Sequence, residues 1–503
     1  MTRTVRSISY DPCVTRPRWD FGLTLEKSGG RPLFLQIAGA IAEDICRGRL
    51  KPGDPLPGSR TLARSLGVNR VTVLTAYEEL AAEGWIVSER ARGAWVAAEM
   101  PDARGGRQGR PRSAAGLPDA IYQLPPAPDV TRWPDPGRGL LLMNSSPDTR
   151  LIRTEPLVRA YRRVLRRHGG DLLAYGDARG HPALRDAIAQ MLSVSRGMTA
   201  SADQIMVTRG SQMALSLVAR ALLRPGQVVA VESIGYPHAW QSFRLAGAKL
   251  AAVPVDAEGL DVAALARLAA SRQIAAVYVT PHHQFPTTVT MSAARRAQLL
   301  ELAARHRILI VEDDYDDAFH FEGRPVMPLA SLDRAGVVVH IGTFSKVFAP
   351  GLRMGYVVAP RDVLDRLAAQ REFLDIHGDS AMESAVAELL EESEIQRHIR
   401  RVKRIYQRRR DLLAGLLARE LPGALTFDVP AGGVALWVRV ANPIDVEAWA
   451  GRAMERGLAF LTARRFAFDR RARPFARLGF ASLDEAELRE AVSRLAASRP
   501  AIP

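Results

Sequence analysis

Cysteine is nearly absent: the 503 residues contain two, Cys13 and Cys46. Neither lies near a second pair, which excludes a disulfide framework and a cysteine-rich zinc site and fits the reducing cytoplasm. Long uncharged apolar runs are also missing, so no bilayer span and no membrane partner are expected. Arg3 and Arg6 are not followed by an apolar signal core, so no secretory leader is expected either. Acidic residues are in deficit, with 54 Asp and Glu against 69 Lys and Arg, a formal net charge of +15. An excess of this size fits a polyanionic partner, and it equally fits an arginine-rich composition. Charge supports a nucleic-acid argument without making one.

Material for burial is plentiful, since 47% of the residues are apolar. The chain is too long for one hydrophobic core, so two or three domains are expected. The pattern divides it into an N-terminal extension (1–29), a compact and mostly helical module (30–98), a linker (99–138) and a large C-terminal region (139–503). The linker is rich in Pro, Gly, Ala and Arg and has no sustained apolar period. Its Arg104, Arg107, Arg110 and Arg112 are either solvated or within reach of phosphates.

In the helical module, Leu33, Ile37, Ile41 and Ile45 recur every four residues and give one apolar helix face, with Gly48 as its stop. After the break KPGDPLPG, Ser59 is placed to cap a short helix, 60–66, that ends at Gly67. Asn69 is placed to cap a third helix running to about Glu83, with Val73, Tyr77 and Leu80 as its buried stripe. That leaves Arg70, Thr72 and Thr75 on other faces. Trp85–Val87 and Ala94–Ala97 look like two short strands around ERARG, a basic hairpin with Arg90 and Arg92. Two short helices around a glycine turn fit a helix-turn-helix, whose second helix enters the major groove. On pattern alone, a small helical interaction module fits as well.

The C-terminal region alternates short Val- and Ile-rich runs with helical stretches such as 211–223 and 292–306. The runs are 205–207, 228–231, 275–279, 308–311 and 337–341. Alternation of this kind predicts an α/β fold with a mostly parallel sheet, in which ligands bind outside the carboxyl ends of the strands. Four segments carry chemistry. GTFSKVFAPGLRMGY (342–356) puts the hydroxyls of Thr343 and Ser345 beside Lys346, with Arg353 seven residues on. That is the donor set needed to seat a phosphate next to a reactive amine. A surface lysine in a Ser/Gly loop is the plain alternative. ILIVEDDYDDAF (308–319) ends a buried strand in acids, which is costly unless the acids have partners. Asp313 is placed to hold a protonated ring nitrogen and Tyr315 a ring oxygen; a solvated acidic turn or a magnesium site are the alternatives. In VTRGSQMALSLVARALL (207–223), Gly210, Ser211 and Gln212 open a helix whose amides suit a phosphate. In ESIGYPHAW (232–240), Tyr236 is either a stacking or a packing tyrosine.

The segment 31–96 is similar along its length to the winged helix-turn-helix of GntR-type regulators. The resemblance implies that Arg60 and Arg70 contact DNA, and Asn69 and Thr72 at the same helix start are expected to join them. The family's wing tip usually reads Gly-Ser-Gly; here Ala91-Arg92-Gly93 leaves the wing contact to Arg92. The segment from about 144 to 482 resembles fold-type I aminotransferases, which implies a small C-terminal α+β subdomain beside the main sheet. It also implies pyridoxal 5′-phosphate as a Schiff base on Lys346, with Asp313, Tyr315, Tyr236, Gly210, Ser211, Gln212, Thr343, Ser345 and Arg353 as its contacts. By the same resemblance, Tyr175 in AYGDARGHPALRDAI reaches the phosphate in the other subunit, and Arg477 in ARLGFAS binds the carboxylate of an amino-acid ligand. PHHQFPTT (281–288) matches the substrate-side loop.

A GntR-type reader, a linker and this domain together resemble the MocR/GabR family. That resemblance implies a transcription regulator that binds double-stranded operator DNA as a head-to-tail, domain-swapped homodimer. It senses pyridoxal phosphate, or a small amine or amino-acid effector, through an aldimine at Lys346, with at most residual transaminase activity. Departures from the enzyme pattern are Phe285 for the asparagine before Pro286, Thr288 for a glycine, His282 for a serine and Ser145 for a glycine. Regulators of this type commonly lack that asparagine, which favours a sensor. A working aminotransferase with a DNA-binding appendage, and a regulator whose large domain only pairs subunits, are the competing readings.

Overall fold

A computed structural model describes residues 25, 31–89, 93–99, 122–124, 137, 139–143, 146–323 and 326–500. The extension 1–29, nearly all of the linker, Arg90, Arg92 and Ser145 lie essentially outside this set. The chain separates into two compact units, Met1–Ala127 and Pro128–Pro503, divided within the 99–138 stretch.

The first unit has α1 (Leu33–Cys46), α2 (Ser59–Leu66), α3 (Arg70–Ala82), β1 (Ile86–Glu89) and β2 (Gly93–Val96). The two strands form an antiparallel hairpin with Ile86 opposite Val96 and Glu89 opposite Gly93. Ile37, Ile41 and Ile45 of α1 meet Leu62 of α2, the stripe Val73, Tyr77 and Leu80 of α3, and Ile86 and Val96 of the hairpin in one core. The buried Tyr77 hydroxyl donates to the Pro57 carbonyl at 2.6 Å, which fixes α3 against the chain entering α2. Gly67 closes α2 in the left-handed region at φ 61°, and the Asn69 side chain accepts from the Val71 N–H at 2.9 Å, capping α3. The start of α2 differs from expectation. Gly58 is its N-cap and no side chain caps it; Ser59 is its first residue and accepts from Arg70 Nε at 3.3 Å.

The second unit runs β3 (Leu140–Leu141), α4 (Thr154–Leu172), α5 (Pro182–Arg196), β4 (Ile205–Thr208), α6 (Ser211–Leu222), β5 (Val228–Glu232), α7 (Pro237–Leu245), β6 (Lys249–Val253), β7 (Val255–Asp256), β8 (Gly259–Leu260), α8 (Val262–Ser271) and β9 (Ala276–Val279). It continues with α9 (Ala293–His306), β10 (Leu309–Asp314), α10 (Leu329–Leu332), β11 (Val338–Thr343), β12 (Gly355–Val358), α11 (Arg361–Glu372), α12 (Ser380–Glu391) and α13 (Glu394–Glu420). The C-terminal part holds β13 (Leu425–Thr426), β14 (Ala435–Val440), α14 (Val446–Glu455), β15 (Leu458–Ala459), β16 (Leu461–Thr462), β17 (Phe475–Gly479) and α15 (Glu485–Ala497).

The main sheet has seven strands in the order β4-β12-β11-β10-β9-β5-β6. β12 is antiparallel to both of its neighbours, while β10 is parallel to β9 and β11, and β5 to β6 and β9. The strands β4, β9 and β11 are buried at every position, which is what continuous Val/Ile runs covered by helices on both faces produce. All five expected strands form. The sequence pattern did not pick out β6 or β12, the latter lying at the end of the lysine motif. A second sheet, β13-β14-β17-β16, makes the α+β subdomain with α14 and α15.

Residues 400–410 of α13, RRVKRIYQRRR, are densely basic, and not all of these side chains face solvent. Arg409 is buried and bonds Asp148 at 2.9 Å and the Ala481 carbonyl at 2.6 Å. Arg410, also buried, bonds Glu322 at 2.6 Å and the Pro430 carbonyl at 2.7 Å. Among the described residues, no helix is long and apolar enough to cross a membrane.

Candidate functional site

Four acids at and beyond the carboxyl end of β10 are matched to different partners. Glu312 bonds His340 Nδ1 at 2.9 Å and accepts from the Leu329 N–H at 2.7 Å. Asp314 and Asp317 share Arg196, and Asp316 bonds His283 Nδ1 at 2.8 Å. Asp313 differs. It is buried and forms no ion pair among the described residues. Its Oδ2 accepts from the Tyr278 hydroxyl at 2.8 Å, and its Oδ1 has no partner. Burial pushes its carboxyl up to about 7, against the Tyr278 hydrogen bond that lowers it. A buried carboxylate oxygen without a donor suits a ligand bearing a positive N–H.

Beyond the end of β4, the chain enters α6 through Gly210, held at φ 80°, and no side chain caps the helix. The first amides of a helix have no intrahelical acceptor and favour an anion. A Cβ on Gly210 would stand 2.9 Å from Arg353 Nη2, so only glycine lets the guanidinium approach this turn. Arg353 is itself in the left-handed region, at φ 50°, and its Nη2 donates to the Arg209 carbonyl at 3.2 Å. The buried Ser345 hydroxyl has no partner. Helix amides and a guanidinium thus define an anion seat around Ser211, and the loop that carries Arg353 also holds the free Ser345 hydroxyl. Two predicted contributors act differently. The Thr343 hydroxyl donates to the Met354 carbonyl at 3.3 Å and accepts from the Ser345 N–H at 3.1 Å, so it shapes the loop. The Gln212 amide donates to Ser242 Oγ at 2.7 Å, which leaves its backbone N–H for the seat.

Lys346 follows directly. Burial, with help from Arg477 and Arg353, lowers its amine to about 8, against Asp316 and Asp313. Arg477 is 1% exposed. Its guanidinium lies 4.9 Å from the centre of the Phe285 ring, within cation–π range, and beside the Tyr315 hydroxyl. Phe285 is the hub of an aromatic wall, with Tyr236 at 5.2 Å, Phe466 at 5.3 Å and Tyr315 at 5.9 Å between ring centres. Burial, with Asp313 nearby, raises the Tyr236 hydroxyl to about 12. Lys346, Asp313, Tyr236, Tyr315, Arg353 and Arg477 therefore act on one another electrostatically in one crevice. Tyr175 is not part of this buried set: it is 85% exposed and packs edge-on against His377. Tyr278, which fixes Asp313, was not found from the sequence, because within an apolar strand it has the pattern of a core residue.

In the first unit, Arg60, Asn69 and Arg70 are exposed and Thr72 is half-buried. Val71, at 64% exposed, and Leu74 are large apolar side chains left on the surface of α3, a feature that periodicity alone did not single out.

Residues 33–96 match the model of bacterial regulatory proteins of the gntR family, and residues 144–495 match that of aminotransferases class I and II. The chain is 32% identical over 474 residues to the probable rhizopine catabolism regulatory protein MocR of Rhizobium meliloti, covering 94% of this chain and 95% of that protein. It is also 32% identical over 486 residues to the regulator TauR of Rhodobacter capsulatus, covering 94% and 97%. This chain belongs to the MocR/GabR family of transcription regulators. Among solved structures, its large unit resembles α-aminoadipate aminotransferase LysN of Thermus thermophilus, with a TM-score of 0.67 and 29% identity, over 72% of this chain and 92% of that one. Kynurenine aminotransferase of Pyrococcus horikoshii has a TM-score of 0.68 at 29% identity, over 72% and 91%. The fold-type I architecture and the DNA-binding reader are thus those of this regulator family, and the family implies pyridoxal phosphate. The crevice fits that group: Asp313 Oδ1 for the ring nitrogen, and the Gly210–Arg353–Ser345 seat for the phosphate.

A pH effect follows from Asp313. A carboxyl raised from about 4 to about 7 in the folded protein stabilises it fully below pH 4, and that contribution is lost as the pH rises through 7. In the cofactor-free regulator, Asp313→Asn keeps the acceptor for Tyr278 and removes the titration. Thermal unfolding of this variant should lose less stability than wild type between pH 5 and 8; parallel curves would contradict the assignment.

Proposed function

We propose that this member of the family is a pyridoxal-phosphate-dependent operator-binding regulator in which Lys346 anchors the cofactor and the anchored cofactor senses an amino compound. The observation that carries the proposal is the unpartnered Asp313 Oδ1, buried in the same crevice as the depressed Lys346 amine. Pyridoxal phosphate supplies an aldehyde that condenses with amines and a ring that withdraws electrons once its nitrogen is protonated. Asp313 holds that proton in place. An amine titrating near 8 is about half neutral at pH 8, whereas a solvated lysine is neutral in only about 4 molecules per thousand. Near pH 8, Lys346 is therefore far readier than a solvated lysine to attack an aldehyde. Ser211, Ser345, Arg353 and the amide of Gln212 take the phosphate, and Thr343 holds their loop. Tyr315 takes the ring oxygen, a task left to it where Phe285 offers no polar group, and Tyr236 covers the ring. Arg477 receives the effector carboxylate.

The regulator works as a cytoplasmic head-to-tail homodimer in this reading. Exposed Leu173, Tyr175, Phe373 and Ile376 support it, because apolar side chains left bare near one another mark an association surface. Tyr175 then reaches the partner's phosphate. Arg60, Asn69, Arg70, Thr72 and Arg92 face operator DNA. Asn69 does so while capping α3, and Val71 and Leu74 are placed for apolar contact with thymine methyls. An effector switches the regulator by binding two arrangements of the readers unequally.

Lys346→Ala should abolish the borohydride-stable pyridoxal adduct, read by mass spectrometry, while thermal unfolding still reports a folded protein. An adduct that persists would move the anchor to another lysine. Arg70→Ala should weaken operator binding by about 1–3 kcal/mol and relax sequence choice at one position, measured by fluorescence anisotropy at fixed salt. Unchanged affinity would remove Arg70 from the interface.

A further inference from the structure

Beside the cofactor crevice lies a second cluster that none of the chemistry above uses. His282 and His283 stand in the loop after β9, and His320 in the segment after β10. Their relative exposures are 3, 2 and 9%. Their ring centres are 4.5 Å apart for His282 and His283, 6.0 Å for His282 and His320, and 6.4 Å for His283 and His320. One nitrogen from each ring can be chosen so that all three lie within 4.8 Å of one another. Both ring nitrogens of His282 and Nε2 of His283 are buried without a hydrogen-bond partner. Those of His320 also make no bond of good geometry, although the Glu322 backbone lies near that ring. Leaving several imidazole nitrogens buried and unpaired is costly, and neutral imidazoles gathered in this way commonly have a metal or an ordered water among them.

We infer that His282, His283 and His320 form a binding site for one divalent transition-metal ion of the zinc class. Three features separate this cluster from a chance meeting of core histidines. The first is the ligand set: three neutral imidazoles suit zinc, nickel, cobalt or copper and do not suit magnesium or calcium. The second is the support behind it. Asp316 bonds His283 Nδ1 at 2.8 Å, which fixes the ring and leaves Nε2 as its unpartnered nitrogen. A carboxylate behind a histidine is the usual orienting arrangement at a metal. The third is the residue opposite it. Gly432 pairs with His320 across an isolated antiparallel bridge. A Cβ at Gly432 would collide with His283 Nε2, so only a residue without a side chain can stand beside that nitrogen. In a tetrahedral zinc site the nitrogens stand about 3.4 Å apart, so the rings need to close by less than about 1 Å each.

The ion would tie two segments together, the 281–288 loop and the chain beyond β10, the latter bridged to the 430–433 loop through His320 and Gly432. It would also share Asp316 with the electrostatic surroundings of Lys346, so occupancy would be felt in the cofactor crevice. The site does not depend on the pyridoxal reading, because its three ligands are not among the cofactor contacts.

The test uses untagged, full-length protein, stripped with a chelator and assayed with and without pyridoxal phosphate. After equilibration with Zn2+ and desalting, inductively coupled plasma mass spectrometry should count one zinc per chain. His282→Ser and His320→Gln should each weaken zinc binding at least tenfold, and Co2+ should give the visible bands of a low-symmetry site in wild type only. If either variant fails to fold, Asp316→Asn serves in its place, with an expected loss of about 10–100-fold. Absence of stoichiometric zinc at about 10 µM free metal, or equal binding in wild type and in the folded variants, would overturn the assignment. The cluster would then be water-filled.

Discussion

A single carboxylate oxygen organises the large unit. Asp313 is carried to the carboxyl end of a strand buried on both faces, where water cannot pay for its charge, and Tyr278 satisfies only one of its two oxygens. The neighbouring acids take up Arg196, His283 and His340, so none of those partners is left for Asp313. The site is stable as a neutral acid, or as an anion facing a cationic N–H. A protonated pyridine is such a group, and the anion seat at the start of α6 fixes which way a phosphorylated one must lie. Lys346 has its low amine pKa for the same reason Asp313 has its high one: burial penalises charge of either sign.

This pairing of perturbed groups lies in a chain whose other unit is of the DNA-binding gntR type. The reader is held together by ordinary means: an apolar core, a left-handed glycine, an asparagine cap and the Tyr77–Pro57 hydrogen bond. Its basic residues are left at the surface. Regulation requires only that a change in the crevice alter the relative free energies of two reader arrangements by a few kcal/mol.

Much of this was legible in the sequence, for definite reasons. Val- and Ile-rich runs separated by helical periods force a covered parallel sheet, and Gly67 and Asn69 announce the turn before α3. The order of the glycine turn at 210, Asp313, Lys346 and Arg353 exposes the crevice because each of these positions demands a particular residue type. Features that depend on meeting across the fold were not legible. Tyr278 looks like core until its hydroxyl is seen to reach Asp313. In the basic run of α13, nothing local reveals that Arg409 and Arg410 turn inward to anchor Asp148 and Glu322. Ser59 has a capping residue's chemistry, but Gly58 takes the cap and leaves Ser59 to hold Arg70. The three histidines come from segments 37 residues apart, so their convergence is invisible to any local pattern.

The most direct measurement is the 15N chemical shift of ring-labelled pyridoxal phosphate bound to the protein, in wild type and in Asp313→Asn. The account predicts a protonated ring nitrogen in wild type and a neutral one in the variant. A neutral ring nitrogen in wild type would contradict it.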